Sequence, residues 1–336
     1  MILIGIMACD AGVDGSNESD PEDWVWADIP NSRILLFSRA ADPYGYGEIY
    51  LLTKQGEIRQ IVDNTHQNYN PSITRNGDWI AFHRWMTPGD FTSLELFMVE
   101  IGTGTEVRLT NDDFATAIPK WNADGTRLVY SSWRTYDTTT EANIFVLDLT
   151  DWSVTQITSD PEHEDNDPSW CGTDAIALKS TRNSGEKYQE EIYIMNRDGS
   201  NLRRLSSRDG WESDHDPRCS PDGEWIYFYR FEATRRWIDQ DARTWSEVYP
   251  VNIWRVNRAG RQEKLTSCEY FCANPVPAAD GSVLFLEKDF IINQNRELIG
   301  SKARLMIMDA NGANPRELLP GSVYEVHAST LEWFDW

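Results

Sequence analysis

The chain has 336 residues, 40% of them apolar, and sets 31 Lys and Arg against 54 Asp and Glu for a net charge of −23. That apolar share is enough for a core of domain size. The charge argues against sequence-independent binding to nucleic-acid phosphates or anionic lipid and favours cations, metal ions or basic partner surfaces. The plainer alternative is that it keeps a secreted protein soluble. No stretch of the sequence reaches the roughly 20 apolar residues of a membrane-spanning helix.

Residues 1–9, MILIGIMAC, form an apolar run that ends in a small residue and then cysteine. This resembles the end of a bacterial lipoprotein signal with Cys9 as lipid acceptor, although it lacks a basic leading segment. The alternative is an apolar terminus without targeting meaning. Residues 10–23, DAGVDGSNESDPED, have the acidic, Gly/Ser/Asp-rich composition of a flexible linker. The expected location is periplasmic or cell-surface, with the membrane reached only through the lipid. Cysteine usage agrees with export: Cys268 and Cys272 share one loop, and Cys171 and Cys219 fall at nearly matching points of successive repeats. Two disulfides would then leave Cys9 for lipid, and free buried thiols are the alternative.

From residue 24 onward three strand-like signals recur in fixed order, six times. The first, B, is an apolar run: RILLFS (33–38), WIAFHR (79–84), RLVYSS (127–132), AIALKS (175–180), WIYFYR (225–230) and SVLFLE (282–287). The second, C, begins at Glu48, Leu94, Asn143, Glu191, Asn252 and Arg304. The third, D, begins at Glu57, Glu106, Ser153, Asn201, Arg261 and Pro315. A further strand, A, follows D and in five copies carries proline: Pro71, Pro119, Pro168, Pro217 and Pro275. Turns at Asn76-Gly77, Asp124-Gly125, Asp222-Gly223 and Asp280-Gly281 return A to B, with residues that readily supply positive φ.

A four-stranded unit of this size cannot bury both of its faces alone, so the copies must stack radially. The expected fold is all-β: a six-bladed β-propeller of four-stranded antiparallel blades over 24–336. The ring is closed by the C-terminal strand STLEWFDW, with WVW at 24–26 as the rival for that role.

The wording NPSITRNGDWIAF, IPKWNADGTRLVY, DPRCSPDGEWIYF and IYIMNRDGSNLRRLS resembles the WD-like propeller repeat of TolB and its relatives. The resemblance covers roughly 24–336 and implies the fold. For function it implies less, because such propellers include scaffolds, ligand binders and enzymes.

Short turns join A to B and C to D, whereas the D–A and B–C connections include SDPEHEDND (159–167), SRDGWESDHD (207–216), the long link after Arg230 and a long loop near 289–302. Long, chemically rich loops on a rigid scaffold place the expected site on the D–A/B–C face, centred on blades four and five. Every blade directs a cation there: Arg39, Arg84, Arg134, Arg182, Arg230 and Lys288. These either pair with D–A carboxylates or form a mixed-charge funnel for a polar ligand or peptide terminus.

Glu164, Asp165, Asp167, Asp214, His215 and Asp216, with His66, His163 and His327 in other D–A links, give the same face oxygen and imidazole donors. Among these, His163, Asp165, Asp214 and His215 are the candidates for Ca²⁺ or another divalent metal, with solvated loop charges as the alternative. Trp85, Trp133, Trp211, Trp237 and Trp245 lie in loops of that face and either stack on a sugar or anchor a partner, or pack down the loops. Trp121, Trp170 and Trp225 fall in strands and belong to the core.

The expected function is a monomeric, non-catalytic envelope scaffold that binds a protein or polysaccharide and no nucleic acid. The competing expectation is a metal-dependent polysaccharide lyase resembling oligogalacturonate lyase, a family of seven-bladed propellers with a metal site of His and Gln. No G-x-S-x-G element is present for a serine peptidase.

Overall fold

A computed structural model of the chain describes residues 32–40, 47–53, 58–62, 66–133, 141–183, 189–210, 212–232, 236–237, 247–248, 250–292, 298–317 and 331–335. The signal-like segment with Cys9, the linker, WVW at 24–26, Arg134, Trp211, Trp245 and His327 lie outside the described residues.

The strands in chain order are β1 (Ser32–Ala40), β2 (Gly47–Thr53), β3 (Ile58–Val62), β4 (Gln67–Ile73), β5 (Trp79–Trp85), β6 (Leu94–Glu100), β7 (Glu106–Arg108), β8 (Thr116–Trp121) and β9 (Arg127–Ser132). Next come β10 (Asn143–Asp148), β11 (Val154–Gln156), β12 (Asp165–Cys171), β13 (Ala175–Ser180), β14 (Glu191–Asn196), β15 (Arg203–Arg204), β16 (Ser213–Cys219), β17 (Trp225–Phe231), β18 (Arg236–Trp237) and β19 (Glu247–Val248). The last are β20 (Val251–Asn257), β21 (Gln262–Lys264), β22 (Phe271–Pro277), β23 (Ser282–Ile292), β24 (Leu298–Asp309), β25 (Arg316–Glu317) and β26 (Leu331–Asp335). Among the described residues the helical content is one 3₁₀ turn, Phe91–Ser93, and no helix is long and apolar enough to cross a membrane.

The strands form antiparallel sheets of four: β4 to β7, β8 to β11, β12 to β15, and β1 to β3 with β26 paired to the free side of β1. The runs β16-β17-β20-β21 and β22-β23-β24-β25 are joined into one larger sheet by a single parallel pairing of Val251 with Phe271. The first strands lie against one another in order, β4 on β8, β8 on β12, β12 on β16 and β16 on β22, and β26 touches both β22 and β4. The expected long loop near 289–302 is instead an extension of the β23–β24 hairpin, in which Phe290 pairs with Ser301 and Ile292 with Leu298. The apolar, β-branched run Phe290-Ile291-Ile292 favours a strand over a loop.

Apolar clusters lie between the sheets. Ile49 and Val62 meet Ile80 and Phe82; Ala81 and Leu96 meet Tyr130 and Phe145; Val129 and Ile144 meet Leu178 and Met195; Ile192 and Ile194 meet Phe228 and Val256. The fully buried Phe82, Phe145, Phe228 and Phe285 each contribute about 1.5–3 kcal/mol.

Each proline-bearing first strand has a bulge at one place. In β4, β8, β12, β16 and β22 two residues oppose one on the partner strand, and the first of the two has positive φ: Asn70 (50°), Ile118 (58°), Asp167 (49°), Asp216 (50°) and Asn274 (55°), each preceding its proline. Proline brings no N–H to a ladder, and the bulge is where a strand can do without one. Asn and Asp tolerate the left-handed region; Ile118, being β-branched, is strained there.

Two residues after the bulge proline the sheets are fastened together. Trp121 Nε1 donates to the Ser72 carbonyl of the preceding sheet at 3.1 Å, and Trp170 Nε1 donates to that of Lys120 at 3.1 Å. At the same position in β16 stands Cys219, disulfide-bonded to Cys171 of the preceding sheet with Cα atoms 5.2 Å apart. Behind them, a Cβ on Gly199 would stand 2.5 Å from the Ile157 carbonyl of the preceding sheet, so the turn after β14 needs glycine for closeness as well as for its φ of +83°. A second disulfide joins Cys268 to Cys272.

Because the 171–219 bond closes a loop of 48 residues, Cys171→Ala with Cys219→Ala should lower unfolding free energy by about 2–4 kcal/mol. The Cys268→Ala, Cys272→Ala pair, spanning four residues, should cost less. Urea titration of both double variants checks the order.

Candidate functional site

B strands end, and A strands begin, on the face where the long connections lie. Three of the rim cations are engaged there with partners from their own sheets. Arg84 donates through Nε to Asn68 Oδ1 at 2.8 Å, pairs with Glu106 at 2.9 Å and covers the Phe97 ring at 4.3 Å. Arg182 grips the buried Asp165 at 2.5 Å and pairs with Asp160. Arg230 makes a two-pronged pair with the fully buried Asp214 at 2.5 and 2.9 Å, reaches Glu212 at 3.3 Å, and lies over Trp254. Asp214 also accepts from the Ser206 hydroxyl at 2.5 Å. Asp165, Asp214, Arg84, Arg182 and Arg230 thus hold the ends of the sheets through these ion pairs and hydrogen bonds.

The remaining candidates gather closer to the first strands. Lys179, on β13, stands 3.4 Å from Asp167, 3.5 Å from Glu190 and 3.3 Å from Nδ1 of His215, on the neighbouring sheet. Glu190 also accepts from the Ser213 hydroxyl and lies 3.8 Å from His215 Nε2. Asp216 pairs with Arg218 at 3.0 Å and accepts from Asn274 of the next first strand at 3.4 Å. His163 stays apart, 3.0 Å from Asp160.

The charges in this cluster follow from its contacts. Burial resists ionisation of Glu190, but Lys179, then His215 and Ser213, outweigh it and hold the carboxyl down to about 2. Burial likewise opposes charge on Lys179, yet Asp167, Glu190 and Glu164 raise it above its usual range. Burial, and next the Lys179 ammonium, bring the His215 imidazole down to about 4. His215 is therefore neutral at physiological pH, with Nδ1 facing the ammonium as acceptor and Nε2 toward Glu190.

Sequence reasoning passed over Lys179 and Glu190. The signal was present: in AIALKS a lysine interrupts a strand that is otherwise buried, where β5 has His83, β9 has Ser131 and β17 has Tyr229.

Half-buried aromatic rings flank the cluster. His215 stacks on Tyr229 with centroids 5.3 Å apart, Tyr229 meets Phe231 at 5.8 Å and Phe271 at 6.5 Å. On the same face Phe91, 43% exposed, sits edge-on to Trp133 at 4.7 Å, with Trp85 packed nearby. Trp237 lies in β18, opposite Glu247 of β19. On the opposite face a cleft of about 460 Å³ is lined by Arg255, Asp280, Asp309 and Arg316.

As for a divalent ion, His163, Asp165, Asp214 and His215 do not bring three donors within reach of one centre. The described group that does is Cys268, Cys272 and Glu287, whose two sulfurs are joined to each other. With Asp165 and Asp214 held by arginines and His215 facing an ammonium, the expected donor set does not fit a metal.

This arrangement of sheets is a β-propeller. Over 91% of this chain and 67% of the other it is similar to TolB from Acinetobacter baumannii, with a TM-score of 0.63 and 16% identity. The propeller protein in a nidogen/laminin complex matches over 89% and 97% with a TM-score of 0.57 and 11% identity. Oligogalacturonate lyase from Vibrio parahaemolyticus matches over 85% and 74% with a TM-score of 0.54 and 16% identity. No protein-family model matches the chain. The fold is that of a TolB-like β-propeller, and at these identities the similarity speaks for the fold alone.

Arg230→Met leaves the Asp214 carboxylate buried without its counter-ion and should cost about 3–5 kcal/mol. A double variant that also carries Asp214→Asn should recover part of this, as read from urea midpoints.

The pH dependence has a definite sign. His215 binds its proton less readily folded, at about 4, than unfolded, at about 6.5. Its stabilisation is complete above pH 6.5 and is lost as pH falls through 4. His83, buried beside Lys120 and brought down to about 3, adds a parallel loss. Glu190 adds another as pH falls from 4.5 toward 2. Replacing His215 with Gln should therefore flatten the fall in melting temperature between about pH 7 and pH 5, leaving the His83 part. An unchanged slope would refute this account.

Proposed function

We propose that this chain is a non-catalytic binding or scaffold protein of the cell envelope. In this reading it closes as a ring of six blades, with β26 completing the sheet of β1 to β3, and takes a protein partner on the face of the D–A and B–C connections. Closure by β26 is supported by its pairing with β1 and its place between β22 and β4. An envelope location is supported by the two disulfides, which persist in oxidising compartments. The lipid anchor at Cys9 remains part of the proposal on sequence grounds.

The observation that carries the binding reading is the character of the two faces. On the connection face most rim charge is tied up within the molecule, while Phe91, Trp133, Tyr229, Phe231 and Phe271 keep part of their rings in solvent. Aromatic side chains held on rigid strands are the usual anchors of protein interfaces. The opposite face offers a cleft of mixed charge built from tight turns. The nidogen/laminin neighbour, by its description a protein complex, lends this reading support from the same fold.

Photo-crosslinking side chains introduced at Phe91 and Phe231, and at Asn311 on the far face, provide the test in intact envelopes. Adducts with the same protein from the first two positions and none from Asn311 are expected. Adducts from Asn311 alone would overturn the assignment of the face.

A further inference from the structure

The cation at the matching position of β23, a strand that runs on past it to Ile292, differs from its counterparts. Arg84, Arg182 and Arg230 each hold a carboxylate, and so does Lys179 deeper in the molecule. Lys288 sits directly opposite Phe271 in the β22–β23 ladder, with its ammonium 5.2 Å from the centre of the Phe271 ring. Among the described residues it has no carboxylate partner, in a chain with 54 acidic residues. The neighbouring acids are taken: Glu287 and Asp289 both pair with Arg304, at 3.2 and 2.8 Å. Burial alone draws the Lys288 ammonium below its usual range. A half-buried cation resting on a ring is a placement that a ligand anion would improve, because the pair would form where water screens it least.

What surrounds Lys288 narrows the anion. Phe271 leads to Tyr229, and Tyr229 to Phe231, so on its described side the ammonium stands at the head of a row of aromatic rings. Asp167, Glu190 and Asp216, the polar groups next along the row, are engaged by Lys179 and Arg218. A sugar needs many free donors and acceptors around its hydroxyls; one ammonium beside apolar rings suits a carboxylate attached to an apolar body. We propose that Lys288 receives the C-terminal carboxylate of a peptide segment, with Phe271, Tyr229 and Phe231 taking its last apolar side chain. The proposal deepens the connection-face reading and rests on it.

The test uses the full chain and two pools of fluorescein-labelled, otherwise neutral octapeptides ending in Phe, Leu or Val, one with free C-terminal carboxylates and one amidated, followed by anisotropy. The free-acid pool should bind the wild type at least about tenfold more tightly than the amidated pool, the scale of one charge-assisted contact. Lys288→Met should remove that preference, and Lys288→Arg should keep it. The acid-to-amide comparison on wild-type protein stands even if Lys288→Met folds poorly.

The proposal is overturned if neither pool binds, if the two bind alike, or if folded Lys288→Met keeps the preference. It is also overturned if trigalacturonate displaces the peptides with the same dependence on Lys288, which would assign the subsite to an acidic saccharide. If the Phe231 crosslinker still captures its partner while the peptide preference is absent, the face stands and the subsite falls. Crosslinks from Asn311 alone would remove both.

Discussion

A twisted sheet of four short strands has two apolar faces to cover and cannot cover either by itself, so the contact between adjacent sheets carries the stability of this molecule. The apolar clusters span sheet pairs, with Phe228 packed against Ile192 and Ile194, and Phe145 against Leu96. Directional fastenings then fix the spacing that such packing leaves loose. Trp121 and Trp170 reach back to a carbonyl of the sheet before, and Cys219 makes the same connection covalently. The bulge before each fastening permits proline in a paired strand and bends that strand along the inner side of its sheet.

Polar groups are placed in that same contact, at a cost. Desolvating the Lys179 ammonium together with Asp167 and Glu190 costs several kcal/mol per ion. The cost is offset because Glu190 has both Lys179 and Ser213, and because the neutral His215 ring turns an acceptor to the ammonium. A cluster of this kind tolerates only one relative position of its two sheets, since a small shift strands a charge. Apolar packing would accept several. The cluster therefore works as a register mark between β13 and β16, and the aromatic wall beside it inherits that precision.

Much of the fold was legible in the sequence because a repeated local pattern reports on local structure. Apolar runs of six residues and Asn-Gly and Asp-Gly turns are short-range features, and the matching phase of Cys171 and Cys219 follows from the repeat. The bulges are visible in the sequence as recurring prolines, and the Asn or Asp before the proline marks the positive φ at Asn70, Asp167, Asp216 and Asn274. The β23–β24 hairpin looks like a loop in the sequence because the polar residues 293–297 follow directly on the apolar run Phe290-Ile291-Ile292. The candidate site was legible as a face and not as a set of partners. His215 meets Lys179 across 36 residues of chain, and nothing local distinguishes Arg230, locked on Asp214, from Lys288, resting on a ring.

The bond between Cys171 and Cys219 also changes how two adjacent sheets bear load. Two adjacent sheets become one mechanical piece, and strain applied to the chain passes through sulfur there instead of through side-chain contacts. β26 lies along β1 in a join made of backbone hydrogen bonds. Load across that join works against hydrogen bonds, which break and re-form, whereas load between the sheets of Cys171 and Cys219 works against a covalent bond.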